Sequence, residues 1–192
     1  MDILEFRDGA AWENWLEDHH AERPEAWLRV AKRHADLDLI AIGDAADGAF
    51  CFGWIDGQRR AYDEQSFLQR YSPRRKASPW SKVNVDKVDA LIAAGRLRTA
   101  GLAEVEAARA DGRWTGAYEP QSTAEVPSDL AAALADDPVA HAAFDRLGKS
   151  ERYAVMLPVL KATTPDARAK ALAREIKLLV SRTGSSLSKG VV

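Results

Sequence analysis

The feature that most constrains the fold is the confinement of strand-like alternation to one part of the chain. Segments that alternate like strands lie only between residues 26 and 71, at 26–32, 58–62 and 66–71. From residue 81 onward, apolar residues instead recur every three or four positions, which is typical of helices that bury one face. We therefore predict an α+β fold, with a small antiparallel sheet flanked by helices and followed by a C-terminal helical module.

Cap and turn residues predict where these elements begin and end. Asp8 is a suitable N-cap for a first helix, and Gly53 is expected to end a second helix over residues 44–52. Asp56–Gly57 is a turn signal, and residues 63–65 should connect the two later strands as a hairpin. Further helices are predicted to begin at these positions: Ser81 or Asn84, Thr99, Asp137, Ser150 and Thr164.

The same pattern divides the chain into modules. Residues 1–120 are predicted to form the α+β domain and residues 121–184 the helical module, with a flexible tail over 185–192. Residues 114–127 show little apolar periodicity, so we interpret them as an ordered connector between the two modules.

The composition predicts a folded protein of the cytoplasm. Of the 192 residues, 46% are hydrophobic and 29% are charged, which is the profile of a globular chain. Met1–Arg7 has no basic stretch followed by an apolar run, and no apolar run reaches the roughly 20 residues needed to cross a bilayer. Cys51 is the single cysteine, so we expect no internal disulfide and no cysteine-based metal cluster. We also predict no cofactor. The sequence indicates no oligomeric state.

Charge is unevenly spread along the chain, although the net charge is only −2. Acidic residues dominate residues 1–25, and basic residues dominate residues 59–87. One interpretation is that the basic segment forms an anion-binding face. The other is that the two regions neutralise each other in the folded protein.

Two segments within residues 51–84 combine aromatic, acidic and basic side chains in a way that suits ligand binding. A tryptophan ring offers a flat apolar face, and paired arginines hold a phosphate or carboxylate in a fork. The candidate ligand-binding residues are Trp54, Asp56, Arg74, Arg75, Trp80 and Asn84. They would line a cleft for a small anionic or aromatic ligand. In the alternative interpretation, Asp56 only makes a turn, Trp54 belongs to the core, and an Arg–Asp pair ties a loop to the sheet.

No motif predicts a reaction, and the sequence identifies no catalytic residue. Cys51 lies between Phe50 and Phe52, which favours a buried thiol over a nucleophile. His19 and His20 lack metal-ligand spacing, and the sequence has no nucleotide-binding or hydrolase motif. A hydrolase or transferase that uses the same cleft therefore stays an alternative to a binding protein.

A third class of function is single-stranded nucleic-acid binding through residues 59–87. There, basic side chains are interleaved with Phe67, Tyr71 and Trp80, which can stack on bases. The pI of about 6.1 argues against a dedicated nucleic-acid binder. We therefore rank this class below the binding of a small ligand.

Six parts of the chain, spread over nearly its whole length, look like the hallmark segments of one known family: Trp27–Lys32, Cys51–Gln58, Ser72–Arg75, Trp80–Asn84, Ala100–Val105 and the closing helical module. They resemble the YdeI/OmpD-associated bacteriocin-protection family. The resemblance implies resistance to bacteriocins or antimicrobial peptides and no established catalytic residue. Residues 37–48 depart from it, because two glycines and an apolar run replace an expected regular helix. We predict a non-catalytic stress-resistance protein that binds an anionic small molecule or a protein partner.

Overall fold

The structure is a computed structural model that describes the backbone of residues 2–187 and the side chains of residues 2–182. Within these limits it contains eight helices and one four-stranded sheet, which confirms the predicted α+β class. The chain forms two compact units. The first comprises the residues up to Ser78 together with Asn84–Thr115, and the second comprises Pro79–Val83 and the chain from Gly116 onward.

The first unit carries the sheet. Its strands follow the order β1-β2-β4-β3, and each neighbouring pair is antiparallel except β1 and β2. The parallel pairing of β1 with β2 makes the sheet mixed. Strand β1 has only two residues, which is too short to show a recognisable alternation in the sequence. The elements are β1 (Ile3–Leu4), α1 (Gly9–His19), β2 (Ala26–Ala31), α2 (Ile42–Cys51), β3 (Trp54–Ala61), β4 (Ser66–Pro73), α3 (Lys82–Ala93), most of which belongs to this unit, and α4 (Thr99–Ala110).

An aromatic cluster joins one face of the sheet to the helices. Trp12 of α1 is fully buried, and its ring contacts those of Tyr71 on β4 and Trp54 on β3. The indole Nε1 of Trp12 donates a hydrogen bond of 3.0 Å to the carbonyl of Ala45 on α2. Asp8 caps α1 as predicted, with its carboxylate accepting from the amide of Ala11. Large buried rings thus fix both helices on this face.

Two glycines make the end of α2 possible. Gly53 ends the helix as predicted, with a φ of +73° that L side chains rarely adopt. Gly101 lies where α4 crosses this end, and a Cβ there would stand 2.4 Å from the carbonyl oxygen of Cys51. The close approach of α4 to the end of α2 therefore requires a residue without a side chain at position 101.

The Asp56–Gly57 turn prediction is wrong. Both residues lie inside β3, where Asp56 is opposite Tyr71 and Arg59 is opposite Gln69. Gly57 and Gln58 therefore share one place opposite a single residue of β4, which is a β-bulge. Glycine followed by a polar residue suits a bulge as well as a turn, so the sequence signal was real but ambiguous. The hairpin across residues 63–65 is confirmed.

The second unit is a helical module with its own core. Its helices are α5 (Ser128–Asp136), α6 (Pro138–Asp145), α7 (Lys149–Leu160) and α8 (Pro165–Leu187). Leu130, Phe144, Met156 and Leu179 are among the buried side chains that hold them together. Helix α5 was not predicted as a separate element. The end of the predicted flexible tail, residues 188–192, lies outside the described residues, and residues 185–187 continue α8.

The residues before α3 belong to this second unit. The amide of Tyr118 donates to the carbonyl of Trp80, and the amide of Lys82 donates to the carbonyl of Tyr118, so that Ser81 and Tyr118 form a parallel β-bridge. Part of the predicted connector is thereby held by backbone hydrogen bonds. Among the described residues, no helix combines the length and the apolar character that a membrane span requires.

Candidate functional site

Ion pairs link the acidic N-terminal region to basic side chains elsewhere in the first unit. Arg70 pairs with Glu25 at 2.6 Å, and Arg96 pairs with Glu13 at 2.6 Å. Hydrogen bonds from Arg70 and Trp27 lower the pKa of the Glu25 carboxyl below its usual value. The Arg70–Glu25 pair joins the acidic region 1–25 to the basic segment 59–87, whereas Arg96 lies outside that segment.

The structure encloses the aromatic residue at the centre of the predicted cleft. Trp54 is only 1% exposed, and its Nε1 donates a hydrogen bond of 3.2 Å to the carbonyl of His20. Asp56 lies two residues later on β3, and its side chain is exposed. Trp54 therefore serves the core of the first unit and presents no open ring face to a ligand.

The other four predicted residues fall into different surroundings. Arg74 follows β4 and is 7% exposed, with its backbone amide bonded to the carbonyl of Gly53, while Arg75 is exposed. Trp80 is 3% exposed and belongs to the second unit, and Asn84 is half-buried in α3. Register thus brings Trp54, Asp56 and Arg74 to neighbouring positions, but ligand binding by the six residues stays a prediction.

A different feature of the first unit has the shape of a ligand site. It is an open pocket of about 1000 Å³, at the upper end of the usual size for small-molecule sites. The lining is mostly apolar, it includes three basic side chains, and it has no acidic one. The lining residues are Ala31, Lys32, Arg33, Ala35, Leu37, Leu39, Ala41, Ile42, Arg59, Ala61 and Phe67. We call this the β3–β4 pocket.

The segment between β2 and α2 builds one wall of the β3–β4 pocket. Leu37 and Leu39 line it, whereas the intervening Asp38 is exposed and does not. Ile40 is fully buried, and its amide donates a hydrogen bond of 2.7 Å to the carbonyl of Phe6, which anchors the segment. The alternation of leucine and aspartate therefore separates an apolar wall from a solvent-exposed side.

Arg59 supplies the charge on the opposite, sheet-borne wall. Its guanidinium lies over the Phe67 ring, 4.3 Å from the centroid, and its Nε donates a hydrogen bond of 3.1 Å to Oε1 of Gln69. These two contacts fix the plane and one edge of the guanidinium while the two Nη atoms keep their donors. Such a group is prepared to hold a carboxylate or phosphate in a fork.

Gln69 connects Arg59 to the β-bulge. Its side chain is 2% exposed, and its Nε2 donates to the carbonyls of Gly57, Gln58 and Arg70 at 3.2–3.3 Å. Because the amide nitrogen is committed to these carbonyls, Oε1 is the atom that faces Arg59. The bulge also sets the direction of Arg59, since a regular strand would place Asp56 and Arg59 on opposite faces.

The other two basic residues of the pocket, Lys32 and Arg33, differ in the hydrogen bonds that their side chains make. Lys32 donates from Nζ to the carbonyls of Asp63 and Glu64 at 2.8 and 3.1 Å, so it holds the hairpin turn. Arg33 is exposed, and no ion pair or hydrogen bond engages its guanidinium among the side chains of residues 2–182. Arg59 and Arg33 are therefore the groups suited to meet an anion in the pocket.

The single cysteine is buried at the end of α2. Burial raises the pKa of the Cys51 thiol to about 11, so the thiolate is scarce at neutral pH. Within the described residues, no group of three or more histidine, cysteine or acidic side chains is arranged to hold a metal ion.

Sequence reasoning missed the β3–β4 pocket although its signals are present in the chain. Residues 37–48 form an apolar, glycine-containing departure from a regular helix, and Arg59 is one of many basic residues in the segment 59–87. The departure is the wall of the pocket, and α2 begins at Ile42 rather than at residue 44. To place Arg59 beside residues 37–48 requires the register of β3, which depends on the β-bulge at Gly57 and Gln58.

Two protein-family models match different parts of the chain, and the boundary between the matches lies near the boundary between the two compact units. Residues 123–181 match the model described as "Bacteriocin-protection, YdeI or OmpD-Associated", which confirms the resemblance for that part. The resemblance had been expected over nearly the whole chain, but Gly53–Gly57 lies within residues 4–104, which match a second model, described as "Domain of unknown function (DUF8412)".

Two further comparisons found no match, one with curated proteins and one with solved structures. The β3–β4 pocket, the β-bulge and Arg59 all lie within the 101 residues that match the second family model. This match covers more than half of the 192 residues. The chain therefore belongs to the family of the domain of unknown function DUF8412, and it carries a C-terminal segment similar to bacteriocin-protection proteins of the YdeI/OmpD-associated kind.

Proposed function

We propose that this protein is a non-catalytic binding protein for small anions with an apolar body, and that the β3–β4 pocket is the binding site. The anion contacts Arg59, with Arg33 as a second cation, and the apolar body lies against the leucines of the β2–α2 segment. The proposal keeps the predicted class of ligand and moves the site away from Trp54 and Arg74.

One observation carries the proposal: an apolar pocket without acidic lining contains a guanidinium that the fold has already oriented. Among the described side chains no carboxylate forms an ion pair with Arg59, so its charge is available to a bound anion. A fixed fork also lowers the entropy lost when an anion binds. Both features are expected of a ligand site and are unusual for a structural surface.

The match of residues 123–181 supports a wider role. We place the protein in the cytoplasm and assign it to resistance against bacteriocins or antimicrobial peptides. Binding of an anionic metabolite there would act on resistance indirectly, through metabolism, regulation or a partner, rather than by contact with an external peptide. In a bacterial host that lacks the gene, wild-type protein should restore survival under such a peptide, and Arg59→Gln should restore less.

The binding proposal is tested with anionic, neutral and cationic compounds that share one apolar body. Two bodies are used, aliphatic and aromatic: decanoate, decanol and decylamine, and 2-naphthoate, 2-naphthol and 2-naphthylmethylamine. Calorimetry of the purified full chain measures each Kd. We expect at least one anion to bind at least tenfold more tightly than its neutral and cationic analogues, which corresponds to about 1.4 kcal/mol.

Neighbouring arginines provide the control. Arg59→Gln should remove most of the preference for the anion, whereas Arg60→Gln should keep it, because Arg60 lies over the Trp27 ring on the other face of β3. Equal binding of anionic and neutral compounds, or equal loss in both variants, would contradict the proposal. Thermal unfolding of each variant shows that the fold is retained.

A further inference from the structure

We infer that the ligand of the β3–β4 pocket is a single-chain aliphatic anion, such as a medium-chain carboxylate, rather than a planar aromatic anion. This inference rests on the proposed function and names the class of ligand within it. It follows from the side chains of the pocket lining: the one aromatic ring already contacts Arg59, and the other apolar side chains are aliphatic.

The one aromatic side chain of the pocket already has a partner. Phe67 is the only aromatic residue in the lining, and the guanidinium of Arg59 stands 4.3 Å from its ring centroid. An aromatic ligand gains most from an offset-stacked or edge-to-face contact with a ring. Because the Arg59 guanidinium already occupies one face of the Phe67 ring, a planar ligand would have to compete with it for that face.

The remaining apolar lining is entirely aliphatic. Leu37, Leu39 and Ile42 form its large side chains, and the other contributions are alanines from the strands and the β2–α2 segment. Aliphatic walls reward each buried methylene group through the loss of water-exposed apolar area. Alanines at the remaining positions leave the space of about 1000 Å³ open, so a flexible chain can fill it without a fixed ring geometry.

The basic side chains of the pocket lining favour an anionic head group on the ligand. The pocket has basic side chains on two elements, Arg59 on β3 and Arg33 after β2, and no acidic lining residue. The exposed acids of the β2–α2 segment, Asp36 and Asp38, lie outside the lining. An aliphatic cation would therefore meet like charges, and an aliphatic anion would meet a prepared fork.

The test is a series of saturated carboxylates, hexanoate, octanoate, decanoate and dodecanoate, titrated as monomers into the full chain. If the chain lies against aliphatic walls, Kd should fall roughly fourfold for each added methylene group until the pocket is full. Decanoate should bind at least tenfold more tightly than 2-naphthoate, which has a similar number of carbon atoms. A flat series, or tighter binding of 2-naphthoate, would overturn the inference.

A matched pair of variants locates the effect. Ile42→Ser should reduce the gain per methylene, whereas Leu102→Ser should leave it unchanged, because Leu102 is exposed to a similar degree, 40% against 37%, but lies on α4 outside the lining. Equal responses of both variants would contradict the assignment of the wall. Sedimentation with phosphatidylglycerol vesicles without binding of monomeric carboxylates would also overturn it.

The two proposals fail in different ways. If no anion shows binding that depends on Arg59, the proposed function itself fails. If 2-naphthoate binds more tightly than decanoate and Arg59→Gln weakens that binding, the pocket is an anion site and only the aliphatic class is wrong.

Discussion

The side-chain amide of Gln69 fixes the guanidinium of Arg59: Oε1 accepts from the Arg59 Nε at 3.1 Å, while Nε2 is held by carbonyls of the β-bulge and of β4. Gln69 is 2% exposed, so water offers no substitute for these bonds. One buried residue thus stabilises an irregular strand and positions the cation of the β3–β4 pocket.

Gln69→Leu is expected to affect both stability and binding. Carbonyls of Gly57, Gln58 and Arg70 lose a donor, which should lower the free energy of unfolding by about 1–3 kcal/mol. Anion affinity should also fall, because Arg59 loses the acceptor that orients it. Arg59→Gln should also weaken binding but lower the free energy of unfolding by less than Gln69→Leu does, because it removes a single hydrogen bond to Gln69 and an exposed contact with Phe67. Urea unfolding and calorimetry separate the two, and unchanged stability of Gln69→Leu would contradict the structural role.

Gly101→Ala should destabilise the first unit. The new Cβ would lie 2.4 Å from the carbonyl oxygen of Cys51 and 2.8 Å from that of Phe50, which forces α4 and the end of α2 apart. Overpacking of this kind costs about 1–3 kcal/mol. Gly43→Ala is the control, since a Cβ there has no atom within 4 Å, and it should be neutral or stabilising by about 0.4–1 kcal/mol. Equal effects in thermal unfolding would disagree with the close packing of α4.

Cys51 should react slowly with thiol reagents in the folded protein. Burial raises its pKa to about 11, so both the thiolate fraction and access to the sulfur are low. Labelling with 5,5′-dithiobis(2-nitrobenzoic acid) at pH 7.5 should be at least a hundredfold slower than in 6 M guanidinium. Cys51→Ala should keep the anion affinity of the wild type. Rapid labelling of the native chain would indicate a reactive thiol and reopen the catalytic alternatives.

Asp63, in the hairpin turn between β3 and β4, is expected to make a contribution to stability that is lost in acid. The Ser66 hydroxyl, the amides of Gln65 and Ser66 and the Arg29 guanidinium hydrogen-bond Asp63 and lower its pKa from 3.8 to about 2. A lowered folded-state pKa stabilises the protein above the unfolded value of 3.8, and this stabilisation is lost as the pH falls through about 2.

Asp63→Asn should therefore be less stable than the wild type at pH 6, and the difference should shrink between pH 4 and pH 2. Urea unfolding at pH 6, 4, 3 and 2 measures it. Glu64→Gln is the control, because no hydrogen bond engages the Glu64 carboxylate among the described side chains. A wild-type advantage that stays constant down to pH 2 would show that the Asp63 carboxylate is not held as described.

The sequence predicted the parts of the fold that depend on local signals. Asp8 caps α1, Gly53 ends α2, and Thr164 caps α8 through its hydroxyl, because each residue acts on backbone groups a few positions away. Strand β1 and the parallel pairing of Ile3 with Trp27 were not predictable, since two residues carry no period.

The candidate site failed where the prediction depended on register. The prediction assigns Trp54 and Asp56 to an open cleft because an extended chain places them on the same side, but Trp54 is buried in the core while Asp56 is exposed. In the sequence, Gln69 is one residue of an alternating strand. Its hydrogen bond with Arg59 depends on the pairing of β3 with β4. Long-range pairing of this kind leaves no signal at fixed spacing along one sequence.

A crystal structure of the complex with decanoate would show which arginine holds the carboxylate. We expect the carboxylate within hydrogen-bonding distance of the Arg59 Nη atoms and the alkyl chain against Leu37, Leu39 and Ile42. A carboxylate bound at Arg74 or Arg75, with the β3–β4 pocket empty, would rule out binding at Arg59 and favour the site predicted from the sequence.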